Sequence, residues 1–166
     1  ACIIKYLYIW FHHYKKMKDI TIDYALRATW QAVAKMYNEE AGKEDSTMAT
    51  GFTLLSIDPE KGSPSTALGP KMGMEGTSLS RTLKSMEEKG LIIRKPNPKD
   101  GRGVLICLTD FGKEKRDYSK EVVLKFNETI REHVTDSDLQ GFYNVIDVIN
   151  EFISEKKIYK ENVSKK

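Results

Sequence analysis

The sequence predicts a mainly α-helical chain with one small β-hairpin between its fourth and fifth helices, an α+β arrangement. Three observations predict it. Apolar residues recur at three- and four-residue steps through most of the chain. Two short β-prone runs, residues 91–94 and 103–108, interrupt that period around a Pro- and Gly-containing segment. Capping and breaking residues fall at the ends of the periodic stretches.

Residues 20–37 carry Ile22, Leu26, Trp30, Val33 and Tyr37 on one face of a first helix of roughly 27 Å. Gly42 and the polar residues 43–46 break the period, and Ser46 or Thr47 is suited to cap a second helix with Met48, Phe52 and Leu55, which ends at Asp58 and Pro59. Ser63 and Pro64 signal a third helix through Leu68 and Met72, with Pro64 in the first turn, where its missing N–H costs nothing. Gly73 then turns the chain. Gly76 or Thr77 opens a fourth helix whose inward positions are Leu79, Leu83 and Met86, and Gly90 stops it.

The two β-prone runs follow, joined by a long tip over residues 96–102. Thr109 or Asp110 caps a helix reaching Glu132. Asp136 or Ser137 caps a last helix carrying Leu139, Phe142, Ile146, Ile149 and Ile153.

The composition, 40% hydrophobic and 31% charged over 166 residues, is that of an ordinary soluble protein. That length suits one compact domain, or a small domain with helical extensions that need a partner to bury them. The net charge of +3 does not argue for a polyanionic partner, but its distribution does. Between residues 71 and 102, eight cations (Lys71, Arg81, Lys84, Lys89, Arg94, Lys95, Lys99, Arg102) stand against four anions (Glu75, Glu87, Glu88, Asp100), an excess larger than that of the whole chain. Cys2 and Cys107 sit in no paired spacing, which fits a reducing cytoplasm and suggests neither a disulfide framework nor a zinc site. The apolar start, residues 1–14, is too short to span a bilayer and lacks signal-peptide features. Met17 opens the helical pattern and is read as the natural start, leaving residues 1–16 as a non-native or disordered leader.

Two short helices with a tight turn, then a hairpin with a basic tip, make a winged helix-turn-helix, whose second helix is built to lie in the DNA major groove. On the outward side of that helix, Thr77, Ser78, Ser80, Arg81 and Lys84 offer short donors and cations. Arg81 is the best candidate for bidentate reading of guanine, and the hydroxyls and N-terminal amides suit phosphate oxygens. Arg94, Lys99 and Arg102 make the wing basic.

Residues 77–112, TSLSRTLKSMEEKGLIIRKPNPKDGRGVLICLTDFG, resemble the recognition helix, wing and following helix start of the MarR family. The sharpest matches are Lys89, Gly90, Leu91, Ile92 and Arg94, then Asp100, Gly101 and Arg102, then Leu108, Thr109 and Gly112. The resemblance implies that Arg102, held by Asp100, enters the minor groove beside the helix in the major groove. It also implies that the first and last two helices interlock with a second subunit, setting two reading heads roughly 34 Å apart on a palindrome. The expected division is a helical dimerisation region over residues 17–45 and 110–160 around a DNA-binding winged helix over residues 46–109. A departure from the family pattern is Gly69 followed by Pro70, where Pro70 removes a hydrogen bond from the third helix and predicts a short or kinked support helix.

Other features take ordinary roles. Cys107 lies in an apolar strand and is read as packing, and Cys2 falls in the leader. His12, His13 and His133 show no metal spacing. Trp30, Tyr37, Phe52, Phe111, Tyr118 and Phe126 are read as core or interface, although the family often binds small aromatic or acyl effectors in a crevice between the dimer helices and the reading head. No nucleophile with a base, carboxylate pair, metal cluster or phosphate-cradling loop can be assembled, so no enzyme and no cofactor is expected. The expectation is a cytoplasmic homodimeric regulator of transcription that binds double-stranded DNA, as a repressor or equally an activator. The alternative is a winged-helix protein–protein interaction module that has lost DNA binding.

Overall fold

The computed structural model describes residues 20–98 and 100–159, and for Asp100, Gly101 and Arg102 it describes the backbone. The elements run α1 (Ile22–Gly42), α2 (Met48–Ser56), β1 (Ser63–Pro64), α3 (Ser65–Met72), α4 (Gly76–Glu88), β2 (Ile92–Asn97), β3 (Asp100–Leu108), α5 (Asp110–Arg131) and α6 (Asp136–Ser154). The expected leader, residues 1–16, lies outside the described residues. The chain divides after Lys120 into two compact units.

In the first unit, α1 follows the predicted period to Gly42, but only Tyr37 on its apolar face is buried, its ring edge-on to Phe52 of α2 at 5.6 Å. Ile22, Leu26 and Trp30 stay exposed. Thr47 caps α2, its Oγ1 accepting the Thr50 amide at 3.1 Å. The core then gathers Leu54 and Ile57 from α2 and its end, Leu68 from α3, and Leu79, Leu83 and Met86 from α4. Leu91, Ile92, Ile106 and Leu108 complete it from the sheet side. Each fully buried side chain of this size contributes roughly 1.5–3 kcal/mol.

The segment at Ser63 and Pro64 differs from expectation. Both residues form a short strand, β1, that pairs antiparallel with β3 (Ser63 with Ile106, Pro64 with Leu105), and Pro64 stands at the N-cap of α3 rather than inside its first turn. Two-residue strands carry no periodicity, so hydrophobic patterning had nothing to register. Gly62 makes the approach possible: it has φ +70°, and a Cβ there would lie 2.7 Å from Cys107 Sγ and 2.8 Å from the Ile106 carbonyl oxygen. Helix α3 is short, as Pro70 predicted, spanning 8 residues with the proline inside it.

Helix α4 ends in a Schellman arrangement. Gly90, at φ +70°, donates its amide to the Glu87 carbonyl at 2.9 Å, and Leu91 donates to the Met86 carbonyl at 2.9 Å. Both Leu91 and Met86 are core residues, so the stop signal also seats the start of the hairpin.

The hairpin is longer and its tip shorter than predicted. β2 runs through Pro96 to Asn97, and β3 begins at Asp100, with a register irregularity between Pro96 and Asn97. The sheet order β1-β3-β2 explains the tolerance: β2 is an edge strand, where a residue without an N–H leaves no ladder bond unmade, and a bulge absorbs the mismatch. Thr109 Oγ1 then accepts the Gly112 amide at 2.9 Å and opens α5.

The second unit holds the end of α5 and all of α6. The cap of α6 is Thr135, ahead of the expected Asp136 or Ser137. Its Oγ1 accepts the Asp138 amide at 3.1 Å while the Asp138 carboxylate accepts the Thr135 amide at 3.1 Å, a reciprocal capping box. Along α6, Phe142, Val145, Val148 and Phe152 recur at three- and four-residue steps and remain exposed.

Candidate nucleic-acid interface

The core fixes how α4 is turned. Leu79, Leu83 and Met86 lie on one face, and at about 100° per residue Thr77, Arg81 and Lys84 fall on the stripe opposite, with Ser78 and Ser80 flanking it. All five of these polar residues are exposed. The predicted reading face is therefore assembled on one outward surface. At its start, Glu75 occupies the N-cap position without a side-chain cap bond, so its carboxylate does not cap the first-turn amides of α4. Hydroxyls, amides and cations at one helix end form a donor-rich surface matched to phosphate oxygens and base edges.

Two of the predicted cations have partners. Lys84 lies 3.9 Å from Glu88 one turn on, a loose exposed pair of little energetic weight. Arg94, on β2, donates from Nε to Glu87 Oε2 at 2.9 Å, which ties the base of the hairpin to the last turn of α4. Arg94 thus serves the α4–hairpin junction, a role that the sequence count of charges did not separate from the rest. Lys99 lies outside the described residues, as do the side chains of Asp100 and Arg102, so the expected hold of Asp100 on Arg102 falls outside them too. Their backbone places Asp100 and Arg102 at the tip-side end of β3.

Two further cations of the basic stretch act on carbonyl groups. Lys71 Nζ donates to the Ser56 carbonyl at 2.8 Å, closing the C-terminus of α2, and Lys89 Nζ donates to the Asp45 carbonyl at 2.6 Å in the α1–α2 turn. The signal for this was their position near helix ends, where ammonium groups meet unsatisfied carbonyls.

On the other side of that turn, Lys115 Nζ of α5 lies 2.6 Å from Glu44 Oε2 and 5.3 Å from the Phe111 ring centroid. The hydrogen bond to Glu44 holds the Lys115 ammonium above its ordinary pKa. Cys107 is half-buried against Gly62, and His133 Nδ1 lies 2.7 Å from the Thr129 carbonyl oxygen. Among the described residues no group of three or more His, Cys, Asp or Glu is placed to hold a metal, and no helix is long and apolar enough to cross a membrane.

Comparison with known proteins agrees with this geometry. Residues 47–104 match the MarR family, a span from the cap of α2 into β3. An uncharacterized HTH-type transcriptional regulator, YdgJ of Bacillus subtilis, is 29% identical over 79 residues, covering 48% of this chain and 48% of that protein, so the chain spans about half the length of that relative. The crystal structure of an S. aureus MepR–DNA complex superposes with a TM-score of 0.72 at 20% identity, covering 80% of this chain and 99% of that one. CouR from Rhodococcus jostii RHA1, bound to p-coumaroyl-CoA, gives a TM-score of 0.68 at 21% identity, covering 77% and 90%. With the order of helices, hairpin and capping glycines in place around it, the segment 47–104 is similar to the MarR family and carries its winged-helix fold.

Proposed function

We propose that the chain is a sequence-specific, double-stranded-DNA-binding regulator of transcription, rather than an enzyme. The single observation that carries this reading is the outward stripe of α4. Thr77, Arg81 and Lys84 stand opposite a core that fixes the helix, with Ser78 and Ser80 beside them and a basic hairpin following directly. A helix so presented fits the major groove, and Arg102 at the wing tip fits the narrow, negative minor groove beside it. That MepR is seen bound to DNA supports the reading. A winged helix specialised for protein association is not favoured, because it has no use for this array of exposed donors and cations.

The protein acts as a homodimer on a palindromic site and represses by occupying it. Support for the dimer comes from the exposed apolar residues Ile22, Leu26 and Trp30 on α1 and Phe142, Val145, Val148 and Phe152 on α6, which are too many for helices that stay in water. A small aromatic or acyl effector alters the spacing of the two heads and releases the DNA through its different affinity for the two spacings. CouR, bound to p-coumaroyl-CoA, supports that class of ligand. Selection from a random duplex pool tests the core of this reading. Enrichment of one two-fold symmetric sequence is expected, and a pool that stays random after several rounds would contradict it.

A further inference from the structure

We infer that Lys89 is a positioning residue, tying the reading helix α4 to the α1–α2 turn, and not one of the cations that meet a DNA backbone. The inference rests on the DNA-binding reading above and adds to it what fixes the C-terminal end of that helix.

By charge alone Lys89 belongs with Arg81 and Lys84. Its place is different. It stands at the C-cap of α4, eight residues or roughly 12 Å along the axis from Arg81, whereas helices of this kind meet base edges with their N-terminal residues. Its ammonium is 2.6 Å from the Asp45 carbonyl oxygen, 44 residues away in sequence. That carbonyl lies outside both helical ladders: Asp45 is in the left-handed region at φ 49°, and its oxygen precedes Thr47, whose carbonyl is the first that an α2 amide reaches, from Gly51 at 3.0 Å.

The turn that Lys89 grips is itself stiff. Ser46 donates its amide to the Ala41 carbonyl at 3.0 Å, and Asn38 of α1 bridges to α2, donating to the Ala34 carbonyl at 2.9 Å and accepting the Met48 amide at 3.1 Å. Glu44 is paired with Lys115 of α5 at 2.6 Å. Helices α1 and α2 are thus one elbow, braced by α5. The core around Leu54 and Leu83 packs α2 against the body of α4, and Lys89 adds the polar tie that fixes the C-terminal end of α4 to the turn.

The test compares wild type, Lys89→Met, Lys89→Arg and Lys84→Met on a duplex carrying the region upstream of its own gene, over a range of salt. Amide hydrogen exchange of residues 44–48 is followed in the same proteins without DNA. Lys89→Met is expected to weaken binding roughly five- to tenfold with the salt slope unchanged, because no phosphate contact is lost. Its exchange at residues 44–48 speeds up, and Lys89→Arg, which still donates, restores both. Lys84→Met instead lowers the slope by about 0.9. A slope lowered by that amount in Lys89→Met, or unchanged exchange, would overturn the inference. Absence of salt-dependent binding by wild type would overturn the DNA-binding reading, while the exchange result still decides whether Lys89 holds the turn.

Discussion

A Cβ placed on Gly112 would lie 1.9 Å from the carbonyl oxygen of Leu91, so the first turn of α5 rests directly on the backbone that leaves α4. Thr109 completes the joint: its amide donates to the Leu91 carbonyl at 3.1 Å and its Oγ1 donates to the Gly90 carbonyl at 2.7 Å. Any side chain at residue 112 must push the start of α5 away from the Leu91 backbone that follows α4. Gly112→Ala is therefore expected to destabilise the fold by roughly 1–3 kcal/mol or more, read as a fall in the denaturation midpoint. Gly90→Ala meets open space and suffers only from its left-handed backbone, about 1–2 kcal/mol. Equal tolerance of alanine at both positions would show that the joint is not tight.

The core of the first unit should respond as a single packed body. Met86 is 1% exposed and Ile106 0%, on α4 and β3, within the same cluster. Met86→Ala and Ile106→Ala are each expected to cost about 2–5 kcal/mol by chemical denaturation, because the removed volume cannot be refilled by exposed neighbours. Losses below 1 kcal/mol would place these residues outside a close-packed core.

Acid should loosen the start of α6. Hydrogen bonds from the Thr135 hydroxyl and amide hold the Asp138 carboxyl below its usual range, so its folded form is the poorer proton acceptor. The stabilisation it gives is present above the ordinary aspartate range and is lost as pH falls through the lowered value. Amide protection in the first turn of α6 should decline on acidification in wild type and be lower and flatter with pH in Asp138→Asn. Thr135→Ala should remove roughly 1 kcal/mol of helix stability at neutral pH. Identical pH profiles for wild type and Asp138→Asn would refute the assignment.

The proposed dimer makes its own demand on the exposed apolar faces. Val148 on α6 is 53% exposed, as is Trp30 on α1. Val148→Asp should shift the mass in light scattering from two chains toward one, with the winged helix still folded by circular dichroism. A wild-type protein that runs as a monomer at all concentrations would remove the need for a partner on these faces.

Much of this fold was legible in the sequence because its signals are local. Leu79, Leu83 and Met86 marked the inner face of α4, Gly90 its end, and Ser46 or Thr47 the start of α2, each through local chemistry that needs no distant partner; the structure selects Thr47. The β1 strand was not legible, since it is fixed by pairing with β3, a contact between segments far apart in sequence. The short hairpin tip was missed for a local reason: Pro96 reads as a strand breaker, yet the ladder continues past it to the pair of Asn97 with Asp100 through a register irregularity. The outward set on α4 followed from the inward set once the helix period was known. What charge counting missed was the division of labour among cations. Arg94, Lys71 and Lys89 bind Glu87, the Ser56 carbonyl and the Asp45 carbonyl, partners that only the folded chain brings near.

The most direct test of the central claim is fluorescence anisotropy on duplex from the protein's own upstream region against scrambled duplex, with Arg81→Ala and Arg102→Ala alongside, across several salt concentrations. The account predicts preferential, salt-sensitive binding by wild type, a loss of base preference of about 1–3 kcal/mol in Arg81→Ala, and weaker binding on both duplexes in Arg102→Ala. No preference in wild type, with both variants indistinguishable from it, would contradict the account.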